Sequence, residues 1–141
     1  MSTAIAEIRD HQLTQAPTPR PIKAIITDLS KKVQARHLKK KKQTKGGLMV
    51  DFIPWYYAVK YLDLYAPGWS NEVRSVSAIG NSIVVVVRLS IPTAEGLIWR
   101  EATGIEAMDC GSYGDPSSNA ESMALRRAAA KFGIGLYLYE K

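Results

Sequence analysis

The sequence predicts an α+β fold in which an antiparallel β meander packs on a C-terminal helix. Three observations carry this expectation. Ile83, Val85, Val87, Leu89 and Ile91 recur every second residue, the period of a strand with one buried face. Gly80-Asn81, immediately before them, is a two-residue hairpin turn, because glycine takes positive φ without steric cost. Further on, Leu125, Ala128, Ala129 and Phe132 fall at the i, i+3, i+4, i+7 spacing of a helix that buries one stripe.

In chain order, residues 1–21 are weakly patterned and end in the stiff PTPRP stretch, which predicts a poorly ordered arm before a single domain at 22–141. Ile22 to Leu38 predicts an amphipathic helix, with Ile25, Ile26, Leu29 and Val33 on one side, although Thr27 or Asp28 could instead begin it. Lys39 to Gly47 reads as a basic loop, and Leu48 to Ile53 as a short extended segment. A second helix is expected from Pro54, suited to a first helical position, to just before Pro67-Gly68. Its side chains, Trp55 to Tyr65, are apolar or aromatic over more than one face, as in an aromatic core or a subunit interface. The meander follows as Asn71–Ile79, Ser82–Ile91 and Leu97–Glu106, with Pro92–Gly96 turning the chain. Val84 and Val86 make the second face of the middle strand partly apolar, as in a central or covered strand. Met108–Ser117 reads as a loop. Ser118 and Glu121 then have the spacing of a capping box, and Gly133 suits a left-handed stop. Ile134–Tyr139 is expected to be a short apolar strand or docking segment.

With 141 residues the chain is long enough for one real core but too short for two. No apolar run reaches the roughly 18 residues a membrane-spanning helix needs. Glu7 and Asp10, without an apolar core, argue against a secretory leader, and the single Cys110 suits a reducing, cytoplasmic setting. With only His11 and His37 beside that cysteine, a Cys/His zinc site is not expected.

Charge is more telling. The net charge is +6, and residues 31–45 hold eight Lys or Arg and no acid. The rest of the chain is slightly acidic, so the basicity is a patch. Such a patch releases counterions from a nucleic-acid backbone. A lipid surface fits less well, because no amphipathic apolar face accompanies the lysines. On the last helix, Arg126, Arg127 and Lys131 lie opposite the buried stripe, and no acid follows Glu121 within the helix. That makes it a candidate anion-binding face. Arg127, held on a packed helix, is expected to matter more than any one of Lys39, Lys40, Lys41 or Lys42 in a mobile loop.

Catalytic motifs are sparse. There is no GxxxxGK[ST] phosphate loop, and Gly111-Ser112-Tyr113-Gly114 does not form a nucleophile elbow. Glu101, Glu106, Asp109 and Asp115 would be the acids of a Mg²⁺-dependent nuclease, the weaker alternative. A basic RNA-binding module is the other.

Read together, the ALRRAAAKFGIGLY helix, the Tyr65-Ala66-Pro67-Gly68-Trp69 turn and the basic stretch ending in Gly46-Gly47 resemble the Rad-fifty-two and Rad-twenty-two type of single-strand annealing protein, in a bacterial DdrA-like or phage-like form. The likeness spans about Ile22 to Tyr139. Ala120, Ala124, Leu125, Arg126, Arg127, Ala128, Phe132 and Gly133 fit the signature helix. The resemblance implies β-β-β-α protomers assembled into a ring or helical array. It also implies single-stranded DNA, and secondarily double-stranded DNA, in a basic groove, with bases outward for pairing and no cofactor, metal or bond chemistry. Arg126 and Arg127 match its groove pair, Lys42 a basic-loop arginine and Phe52 an aromatic. Lys131, Lys41, Lys40, Lys39, Lys45 and Arg36 complete the expected DNA-binding set. Ala130 replaces a further groove arginine, and Met108–Ser117 lacks the lysines that eukaryotic relatives carry for an outer site. The expected role is annealing in recombinational repair of damaged DNA, in the cytoplasm at the nucleoid.

Overall fold

The computed structural model describes residues 18–42, 49–111 and 114–140. In order they form α1 (Ile22–Leu29), β1 (Lys39–Lys42), β2 (Met49–Phe52), α2 (Trp55–Tyr65), β3 (Ser70–Ile79), β4 (Ser82–Thr93), β5 (Gly96–Ala107) and α3 (Pro116–Ala130), with 3-10 turns at Ala35–His37 and Leu136–Tyr139. β3, β4 and β5 make an antiparallel meander with β4 central, and β1 and β2 pair separately as an antiparallel ribbon. The expected α+β class and the meander on a C-terminal helix are both present.

The alternation in β4 does what its period requires. Val85, Val87, Leu89 and Ile91 are buried and face α3, which lies across β4 and β5. Two rows of small residues let the helix come close. A Cβ at Gly104 would stand 1.8 Å from the Ala120 carbonyl oxygen and 2.7 Å from the Ala124 amide nitrogen. Only glycine on the strand, facing alanines on the helix, allows that approach. Phe132 is fully buried at the end of the same stripe, a contribution of about 1.5–3 kcal/mol for a side chain of this size.

β3 remains outside this packing. All ten of its residues are exposed, including Val73 at 45% and Val76 at 58%. Yet Val73 pairs with Val87 and Val76 with Val85, so both point to the face that carries the core. The single helix is too narrow to reach the third strand.

Several expected boundaries shift. The first helix stops at Leu29 rather than Leu38: the Ser30 and Lys31 N–H groups still bond back to Ile26 and Asp28, but the Val33 N–H donates to the Tyr137 hydroxyl at 3.1 Å. Lys39–Lys42 is a strand and not a loop, since pairing with Met49–Phe52 satisfies its backbone. Lys45 and Gly46-Gly47 lie outside the described residues. The last helix begins at Pro116, two residues before the expected cap. Asp115 accepts from the Ser118 N–H at 2.9 Å, so Ser118 sits inside the first turn and makes no capping box with Glu121. The helix ends at Ala130. Gly133, with φ +120°, then turns the chain against Ser30, whose Oγ would lie 2.3 Å from any Cβ there. Ile134–Tyr139 is no strand: Ile134 is buried and a 3-10 turn follows.

Of the expected N-terminal arm, residues 1–17 lie outside the described residues. Its end is anchored. Arg20 pairs with Asp28 at 2.5 Å and donates to the Tyr65 carbonyl at 2.7 Å.

Candidate nucleic-acid interface

The register of the ribbon sorts its lysines. Lys39 pairs with Phe52 and Lys41 with Val50, so these four share one face, while Lys40 and its partner Asp51 share the other. The Lys40 ammonium accordingly lies 3.5 Å from the Asp51 carboxylate and is partly neutralised. On the first face the cations meet aromatic rings instead of acids. Lys41 Nζ is 5.4 Å from the centroid of Phe52, and Lys39 Nζ is 5.4 Å from that of Tyr56. The Arg126 guanidinium reaches the Phe52 ring from α3, at 5.1 Å. One strand, its partner and a helix thus bring Lys41, Phe52 and Arg126 together.

These three line a groove of about 300 Å³ whose other walls include Val50, Ile53 and Tyr139. Arg126 is half-buried, and its Nε donates to the Ser122 carbonyl one turn back at 3.3 Å. Burial holds its guanidinium below the ordinary arginine value, though it stays charged. The Lys41 ammonium is also held low, first by desolvation against the groove wall and then by repulsion from Arg126. Glu106 opposes this only weakly. Among the described residues no carboxylate pairs with Arg126. Lys41 and Arg126 thus share one wall of a largely apolar groove, an arrangement whose positive potential attracts an anion.

Arg127 and Lys131 are turned away from this groove. The sequence pattern placed them with Arg126 on one face, but consecutive helical residues are about 100° apart. Arg127 donates to the Thr103 carbonyl at 3.0 Å, and Lys131 donates to that of Glu101. Arg100 donates in turn to the Lys131 carbonyl. Together they close the free edge of β5. Carbonyls do not cancel a charge, so both cations still present positive potential on this second flank. Arg36 is exposed in the 3-10 turn before β1, its Nε donating to Gln34 at 2.7 Å. Lys42 ends β1 opposite Met49, and Lys45 is outside the described residues.

Sequence reading missed two members of the site. Tyr139 reads in the sequence as part of an apolar docking stretch, whereas it lines the groove beside Arg126. Tyr56 reads in the sequence only as part of a greasy helix, whereas its ring lies under Lys39, a contact that needs β1 and the start of α2 brought together. The acids that a nuclease would use do not converge. Glu101 is 3.5 Å from Arg88, and among the described residues no three His, Cys, Asp or Glu side chains stand together as a metal set. No helix among the described residues is long and apolar enough to cross a membrane.

The chain is 39% identical over 124 residues to the protein named DNA repair RAD52-like protein 1, mitochondrial, of Arabidopsis thaliana, covering 86% of this chain and 69% of that one. It is 42% identical over 125 residues to DNA repair RAD52-like protein 2, chloroplastic, of the same plant, covering 86% of this chain and 62% of the relative. Residues 21–141, the whole of the described fold from α1 onward, match the Rad52/22 family. The chain belongs to the Rad52/22 family of double-strand break repair proteins.

Proposed function

We propose that this protein binds single-stranded DNA in the Lys41–Phe52–Arg126 groove and anneals complementary strands during recombinational repair. The observation that carries this reading is the pair of cations, Lys41 and half-buried Arg126, resting on Phe52, with no carboxylate among the described residues paired to Arg126. Phosphates supply the missing negative charge, and guanidinium recognises them bidentately. Contacts to the backbone fix the strand without reading its sequence, which leaves base edges free to test a complement. Annealing of this kind transfers no group and uses no nucleotide.

The protein acts as a homo-oligomer in this reading, since a ring or array joins each protomer's few cations into a continuous track. The uncovered Val73 and Val76 support it. The test is binding of a fluorescent oligo-dT across a salt series, alongside annealing of two complementary oligonucleotides. Affinity is expected to fall with salt with a log–log slope of about −0.7 for each phosphate neutralised. A flat salt response, or a preference for structured RNA over oligo-dT, would sink the proposal.

A further inference from the structure

The groove accounts for Lys41 and Arg126 but leaves a second cation–aromatic pair on the same face of the ribbon. Lys39 lies two residues along β1 from Lys41, a step of roughly 6.6 Å, and rests on Tyr56 as Lys41 rests on Phe52. The Tyr56 hydroxyl is its main partner and raises the Lys39 pKa. Next to Tyr56, at the start of α2, stands Trp55. It is 49% exposed, and its ring meets Tyr56 edge to face at 6.0 Å. Tyr56 in turn lies 5.0 Å from Tyr57, which stacks on His37 at 4.3 Å. Trp55 is therefore the solvent-facing end of a packed aromatic row. It has two χ angles to fix and a neighbour that fixes them, so presenting its ring costs little entropy.

We infer that Trp55 is a base-stacking platform, at which a single strand leaving the Arg126–Phe52 groove along Lys41 and Lys39 lays one base on the indole. This rests on the reading of the groove as a single-stranded DNA site and extends it. The groove holds backbone, and the platform holds a base. Alternating cations and ring faces is how proteins grip single strands without sequence preference, because every base has a π face. The position continues the track: Arg126, Phe52 and Lys41 are followed by Lys39, Tyr56 and Trp55, all placed by the β1–β2 register and the start of α2.

The experiment compares Trp55→Ala, Trp55→Phe and Arg126→Ala with the parent protein on two ligands. One is oligo-dT, and the other is an abasic oligonucleotide of equal length with the same phosphates and no bases. Circular dichroism and light scattering accompany each variant. Trp55→Ala is expected to bind oligo-dT at least about fivefold more weakly, the lower end for loss of one stacked base, and to bind the abasic strand like the parent. Trp55→Phe restores most of the loss. Arg126→Ala weakens both ligands alike. If Trp55→Ala binds oligo-dT like the parent, or loses both ligands together or changes assembly state, the platform is refuted and Trp55 is structural or interfacial. If the parent binds neither ligand, or Arg126→Ala changes nothing, the groove reading itself fails.

Discussion

The Arg126 guanidinium lies on the ring of Phe52, 5.1 Å from its centroid, with Lys41 on the same ring at 5.4 Å. The ring's electron-rich π system attracts both cations. Arg126→Ala is expected to weaken oligo-dT binding by about 1.5–3 kcal/mol, the range for hydrogen bonds to charged groups. Arg126→Lys should recover only part, because an ammonium neither stacks nor binds bidentately. Lys41→Ala should exceed Arg127→Ala in effect. That order departs from what the sequence suggests, since Lys41 proves to be fixed on a strand and Arg127 to be committed to the Thr103 carbonyl. Fluorescence anisotropy on the four variants decides the order, and a larger loss for Arg127→Ala would move the site to the β5 flank.

How much of this could be read from the residues alone follows from where each signal lives. The β4 alternation and the α3 stripe are local periodicities, and both elements formed with the expected faces buried. The lysine run carries no period of its own. It becomes a strand only because Met49–Phe52 lies opposite, which is a non-local fact. Asp115 and Ser118 offer two competing caps within four residues, and Pro116 favours the earlier one by fitting the first helical position. The separation of Arg126 from Arg127 was implicit in helical geometry but needed the neighbouring strands to give it meaning.

Gly104 sets the helix-to-sheet distance, so Gly104→Ala tests the packing directly. The added methyl would overlap backbone atoms of Ala120 and Ala124, which cannot swing away as a side chain can. The expected cost is about 3 kcal/mol or more, the upper end for overpacking. Gly80→Ala is the contrast. Nothing lies within 4 Å of its Cβ, and only the φ of +57° opposes it, at about 1 kcal/mol. Urea denaturation of both variants measures the difference, and equal costs would mean that α3 does not sit against β5 as described.

Asp115 caps α3 and is expected to make stability depend on acid. Hydrogen bonds, first from the Ser117 hydroxyl and then from the Ser118 amide and hydroxyl, lower its pKa from 3.8 to about 2. A carboxylate whose folded value lies below its unfolded value contributes stability in full above the unfolded value. It loses that contribution as pH falls through the folded one. The parent should therefore have a higher Tm than Asp115→Ala at neutral pH. The gap should close between about pH 4 and pH 2. A gap that persists unchanged below pH 2 would show that the ionised cap is not its source.

Val76 offers the sharpest test of assembly. It points to the core-bearing side of the meander opposite Val85, yet α3 covers only β4 and β5 and leaves it 58% exposed. The far edge of β5 is closed by Arg127, Lys131 and Arg100, whereas β3 is the other edge strand of the meander. An open edge strand with apolar side chains on its inner face is a surface that folded chains cover. A second copy is the occupant that a cyclic array would supply. Val76→Lys should therefore shift light scattering to a smaller species and reduce annealing more than it reduces binding of a short oligonucleotide. Its folding should be nearly unchanged, since exposed substitutions usually stay within about 0.5 kcal/mol. Ser77→Lys, one residue along and on the opposite face against Val84, is the control and should assemble like the parent. Should Val76→Lys keep the parent's size, the uncovered face of β3 is not where copies meet, and the track would have to be joined elsewhere.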